Sequence, residues 1–94
     1  MNEQNFRKFK DNVKVYTAKE YKYKYPSARL QKECTKVHVY DMGMTVQVLG
    51  IGKNKAYMFS DTFDGVPIES FTPNYDDIVK TMYNIYAYLL KKDC

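Results

Sequence analysis

From Asn74 to Lys92 the apolar residues Ile78, Val79, Met82, Ile85, Tyr86, Leu89 and Leu90 recur at the spacing of one helical face. Asp77, Lys80, Thr81, Asn84, Tyr88 and Lys91 fall on the other side. Asn74 supplies a cap, Asp76 and Asp77 sit in the first turn, and Lys91 and Lys92 close the last, so each charge lies at the helix end that the backbone dipole favours. A stripe this wide must be buried, and a chain of 94 residues has room for one modest core. The remainder of the sequence therefore has to supply a layer for this helix to lie on.

The middle of the chain reads as that layer. Thr35–Tyr40, Met44–Leu49 and Lys55–Ser60 alternate or run apolar in the manner of strands, separated by turns at Asp41-Met42-Gly43 and Gly50–Asn54. Ahead of them, Phe6, Phe9 and Val13 have helical spacing, and Val13–Tyr16 alternates as a short strand does. Thr17-Ala18-Lys19-Glu20 has the form of a capping box, which favours a helix from Ala18 with Tyr21 and Tyr25 on one face and an end near Pro26. The competing reading is a strand with Tyr21, Tyr23 and Tyr25 on one side and Lys22 and Lys24 on the other. Ser27–Glu33 offers a further helical turn or two, and Asp61–Pro73, punctuated by Asp64-Gly65 and Pro67, reads as a loop. The expected fold is α+β: a three-stranded antiparallel β-meander covered by the long C-terminal helix, with one or two short N-terminal helices, in the order α-(α)-β-β-β-α. It forms a single domain over residues 1–94, with a basic Tyr/Lys-rich part at 1–33, the meander at 35–61 and the amphipathic helix at 74–92.

Charge is unevenly placed. Residues 1–36 carry ten Lys/Arg and four Asp/Glu, a net of +6, whereas residues 56–94 carry three Lys and six Asp/Glu, a net of −3. Cys34 and Cys94 are too few for a disulfide scaffold and read as reduced thiols. The first fifteen residues are polar and charged, and no run approaches the length of an apolar membrane span, so the expected location is the cytoplasm.

Groups for bond-making chemistry are sparse. His38 is the one histidine, and Cys34, four residues earlier, would share its face in a regular strand. Asp61, Asp64 and Glu69 offer oxygen ligands without the spacing of a calcium loop. Gly50-Ile51-Gly52-Lys53 has the glycines of a phosphate loop without its Lys-Ser/Thr ending or following helix. These patterns point to sheet and turn chemistry, so no catalytic residue, metal or cofactor is expected.

What stands out is Tyr21-Lys22-Tyr23-Lys24-Tyr25, in a chain with ten tyrosines and no tryptophan. Phenol rings among ammonium groups suit contact with a protein surface or with unpaired bases and phosphates. The candidate partner-binding residues are Lys19, Tyr21, Lys22, Tyr23, Lys24, Tyr25, Arg29 and Lys32. The α-β-β-β-α order is similar to that of double-stranded-RNA-binding domains. Those carry a basic cluster at the start of the last helix, where this chain has Asn74, Asp76 and Asp77. Arm-binding domains of phage-type integrases also combine three strands and a helix, and read DNA with a basic sheet. The strands here offer Thr45, Gln47 and Leu49 instead. In size, composition and lack of catalytic motifs the chain resembles small proteins of phages and mobile elements, many of them stoichiometric inhibitors, anti-CRISPR proteins included. The expectation is a small non-enzymatic binding protein, an inhibitor of a host defence or nucleic-acid enzyme, with a protein partner and no membrane contact. The alternative is a nucleic-acid-binding module without sequence specificity.

Overall fold

The computed structural model describes residues 3–50, 52–63 and 65–92. Its elements are α1 (Glu3–Asp11), β1 (Lys14–Thr17), α2 (Ala18–Lys24), β2 (Cys34–Val39), β3 (Thr45–Leu49), β4 (Ala56–Phe63), β5 (Val66–Thr72) and α3 (Tyr75–Lys92). The sheet has five strands in the order β1-β2-β3-β4-β5, every neighbouring pair antiparallel. The three strands expected from alternation are its centre, and two more flank them. The class is α+β with the C-terminal helix on the sheet, as the sequence implied.

The first is the short strand that Val13–Tyr16 suggested, now seen to belong to the sheet, and the second was expected to be a loop. Lys14–Thr17 is four residues long and gains its ladder by pairing with Lys36–Val39. Asp61–Pro73 was expected to be a loop, but β4 continues to Phe63 and the register closes Phe63 against Val66 across residues 64–65. A two-residue Asp-Gly connection is a hairpin signal rather than loop punctuation. Pro67 stands opposite Thr62, one step beyond the closing pair, on the outermost strand. There the backbone nitrogen points away from β4, so the missing N–H leaves the ladder intact. The helical turns expected over Ser27–Glu33 do not form. That stretch is irregular, with turns at residues 26–27 and 32–33.

Register decides which side chains meet. Val46 pairs with His38 and Val48 with Lys36, so Met44, Val46 and Val48 share the side on which α3 lies. Phe9, Tyr40, Met44, Val46, Phe59, Ile78, Val79, Met82 and Tyr83 form one buried cluster there. The nine-residue α1 is too short to be stable alone. It is held by its rings: Phe9 stacks on Tyr40 at 5.2 Å, and Phe6 meets Tyr83 edge-on at 5.4 Å. Lys10 adds an ion pair to Asp76 at 2.7 Å, joining α1 to the start of α3. Asn74 caps α3 as expected, its side-chain oxygen accepting from the Asp77 amide at 3.2 Å. Tyr83, which lies off the expected stripe, is buried because α1 packs against α3, while Leu90, which lies on it, is exposed beyond the sheet's cover.

The opposite side of the sheet is covered by α2 and the segment after it. Tyr16 pairs with Val37, and Val37 with Gln47, placing all three on this second face. Gln47 fastens the segment there: its Oε1 accepts from the Gln31 amide at 2.8 Å, and its Nε2 donates to the Arg29 carbonyl at 3.4 Å. Val37, without exposure, is buried beneath this cover.

Phe59 sits without exposure on a central strand facing Val46 and α3. Phe59→Ala is expected to cost about 3–5 kcal/mol, enough to leave little folded protein, read as a large fall in the urea midpoint followed by circular dichroism.

Candidate functional site

The Thr17 capping box forms as the sequence implied. The Glu20 amide donates to Thr17 Oγ1 at 3.1 Å, and Glu20 Oε1 accepts from the Thr17 amide at 3.1 Å. The Thr17 amide, then its hydroxyl, hold the Glu20 carboxyl below its ordinary range. Residues 18–24 are therefore helix, and the strand reading is set aside. Helical spacing splits the Tyr/Lys run into different directions. Tyr21 turns toward the sheet, and its ring lies 4.8 Å from that of Tyr25 and edge-on to Tyr16 at 5.9 Å. Burial, then the neighbouring phenols, push the Tyr21 hydroxyl's pKa up. Tyr23 points the other way and is 90% exposed, whereas Tyr25 is 44% exposed.

The eight expected residues are brought together only in part. Lys19, Tyr23 and Lys24, with Tyr16 and Glu20, line one shallow concavity of about 550 Å³ beside α2. Lys24 Nζ is 5.4 Å from the centre of the Tyr16 ring, 5.8 Å from that of Tyr25 and 3.5 Å from the Tyr16 hydroxyl. Lys22 turns away and donates to the Ala28 carbonyl. Arg29 and Tyr21 line a separate cleft of about 400 Å³ on the second face, with Gln47, Met58, Ser60 and Glu69. Lys32 is exposed in the turn before β2 and lines neither. The patch is thus centred on Lys19, Tyr23 and Lys24, with Tyr25 at its border through Lys24.

Tyr16 was missed from the sequence, yet a signal for it was present. It stands just before the capping threonine, and Tyr21 is the fourth helical residue, so the two rings form the hydrophobic staple that accompanies a capping box.

The other candidates do not assemble. A register shift between Cys34 and Lys36 pairs Cys34 with Leu49 while Lys36 pairs with Val48. This bulge reverses the side on which Cys34 points, so it does not share a face with His38. The Cys34 thiol donates to the Lys36 carbonyl at 3.3 Å, and burial raises its pKa. His38 instead meets α3, its Nδ1 lying 3.4 Å from the Tyr75 hydroxyl, which in turn is hydrogen-bonded to the Tyr40 hydroxyl. Asp61 pairs with Ile68 and Glu69 with Ser60, so these two carboxylates project from opposite faces, and Asp64 lies outside the described residues. Among the described residues no three metal-ligating side chains converge. Gly50 closes the β3–β4 turn at a φ of 82°, where a Cβ would lie 2.8 Å from the Asn54 carbonyl oxygen. Ile51 lies outside the described residues, as does Cys94. No helix among the described residues is long and apolar enough to cross a membrane. No protein-family model, curated protein or solved structure matches the chain.

Two tests follow from these contacts. Thr17→Ala removes the cap and is expected to cost about 1 kcal/mol, which lowers the melting temperature of a domain this size by about 4–8 °C. For His38, burial and then the charges of Lys36 and Lys55 hold the imidazole pKa below its ordinary value. The unfolded chain then takes up the proton more readily than the folded one. Stability should be full above the ordinary histidine range, decline as pH falls through it, and level off below the folded pKa. In His38→Gln the urea midpoint should lose this step, which sets in as pH falls through the ordinary histidine range.

Proposed function

We propose that this chain is a non-enzymatic binding protein that docks on a protein partner through the outward side of α2, with Tyr23 at the centre of the contact. The observation that carries the reading is the exposure of Tyr23, 90%, on a helix fixed from its other side by a capping box and by the Tyr16 and Tyr21 rings. A tyrosine offers large contact area with few rotatable bonds and keeps a polar tip, which is why such side chains anchor interfaces. Here the helix that carries the ring is already formed and capped, so its backbone does not have to fold on binding. Lys19 and Lys24 flank it and favour an acidic face. Stoichiometric inhibition of a host defence or nucleic-acid enzyme, in the manner of small phage and mobile-element proteins, needs nothing beyond such capture.

A second reading rests on the same ring. An exposed phenol between ammonium groups can also stack on an unpaired base with phosphates at its sides. The turning away of Lys22 and the separate placement of Arg29 leave that track short.

The test is capture by the immobilised chain from an extract of the cells that carry it, with and without nuclease. Among the described residues neither Lys19 nor Tyr23 has a hydrogen bond or ion pair to lose, so Lys19→Glu with Tyr23→Ala should leave the melting temperature within about 2 °C. Capture should disappear in this variant and survive nuclease. Capture retained by the folded variant overturns the docking surface, and capture abolished by nuclease transfers the reading to nucleic acid.

A further inference from the structure

The concavity beside α2 is built of two materials. Tyrosine rings and lysine stems line it, contributed by Tyr16, Tyr23, Lys19 and Lys24. Its charge sits at the rim. The Lys24 ammonium is held over the Tyr16 ring, and Lys19 is without a partner among the described residues. Glu20 also borders the hollow, with its carboxylate fixed on the Thr17 amide and held ionised by that contact.

We infer that this hollow takes an acidic protein segment in which one aromatic or aliphatic side chain sits between Tyr16 and Tyr23 while flanking carboxylates meet Lys19 and Lys24. The inference rests on the docking surface proposed above and names what fills it. A volume of about 550 Å³, open at the surface, suits a side chain with its neighbours rather than a whole element. The ligand's apolar part answers the rings, and its negative part answers two ammonium groups. A polyanion is the poorer fit. Nucleic-acid affinity grows with the number of phosphates neutralised. This hollow sets two cations against one fixed carboxylate, and the nearby Lys22 is engaged with the Ala28 carbonyl. Exposed ion pairs are each worth little, so the buried apolar group should supply most of the affinity and the carboxylates most of the orientation.

The experiment titrates the full chain, labelled with nitrogen-15, with three probes followed by amide shifts. The first is a short peptide with phenylalanine between acidic pairs. The second is the same peptide with serine replacing phenylalanine. The third is oligothymidylate. The first probe should shift amides of Tyr16–Lys24, saturably. Serine in place of phenylalanine, or Tyr23→Ala in the protein, should weaken that binding by about tenfold or more. Raising salt to a physiological level should weaken it only a few-fold. Equal binding of the serine peptide, tighter binding of oligothymidylate at the same amides, or no shift from the phenylalanine peptide at millimolar concentration would each overturn the inference. If the peptides fail while capture from extract still depends on Tyr23, the docking surface stands and the acidic-apolar occupant is wrong. If both fail, the surface itself is wrong.

Discussion

Burial of Phe59, Val46 and Met44 beneath Ile78, Val79 and Met82 is the interaction on which the rest of the structure depends. It assigns one side of the sheet to α3, and strand alternation then sends every second residue to the other side. The same burial gives α1 something to dock on, since Phe9 reaches the cluster between Tyr40, Tyr83 and Tyr86. It also creates a demand. Val37 and the Tyr16 ring are left on a face that α3 cannot reach, and the chain meets that demand with α2 and the segment fastened by Gln47. The Tyr/Lys-rich stretch is therefore first of all a cover for the second face, and whatever it presents outward is presented from a fixed base.

That double role explains why the phenols of one short run behave differently. Tyr21 and Tyr25 pack against each other with tilted rings and serve the cover, while Tyr23, two residues from each, is turned outward by helical geometry. Lys22 closes the turn after the helix, and Lys24 lies over the tyrosine rings. A strand would have placed all three rings on one side. The capping box rules that out, and so it also decides how many rings are turned outward.

What could be read from the sequence was whatever is settled by near neighbours in the chain. The cap at Asn74, the stripe of α3, the box at Thr17-Glu20 and the alternation of β2 and β3 all follow from spacings of a few residues. What escaped depended on distant partners. Val66–Thr72 is a strand because the backbone of Phe63 pairs with that of Val66, and the short strand suggested at Val13–Tyr16 joins the sheet, as Lys14–Thr17, because β2 lies beside it. The bulge at Thr35, whose hydroxyl binds the Val48 and Gly50 carbonyls, turns Cys34 away from the face of His38, and no local pattern announces it. Of the residues expected on one surface, Lys19, Tyr23 and Lys24 line a common hollow. Arg29 and Lys32 lie apart from that hollow, because charge along the chain says nothing about which side of a turn it faces. Tyr16 was overlooked because it precedes the helix that it completes.

The border of the sheet at β5 carries a consequence of its own. Phe71 and Val66 leave much of their surface in water on the outermost strand, which by itself invites a neighbouring molecule to extend the sheet. Pro67 withholds a donor on that same margin, and Glu69 places a carboxylate two residues on. A strand arriving from another copy would meet an interrupted rung and, in the register that centres Glu69 on its own symmetry mate, like charges face to face. Both features disfavour an incoming strand along that apolar margin.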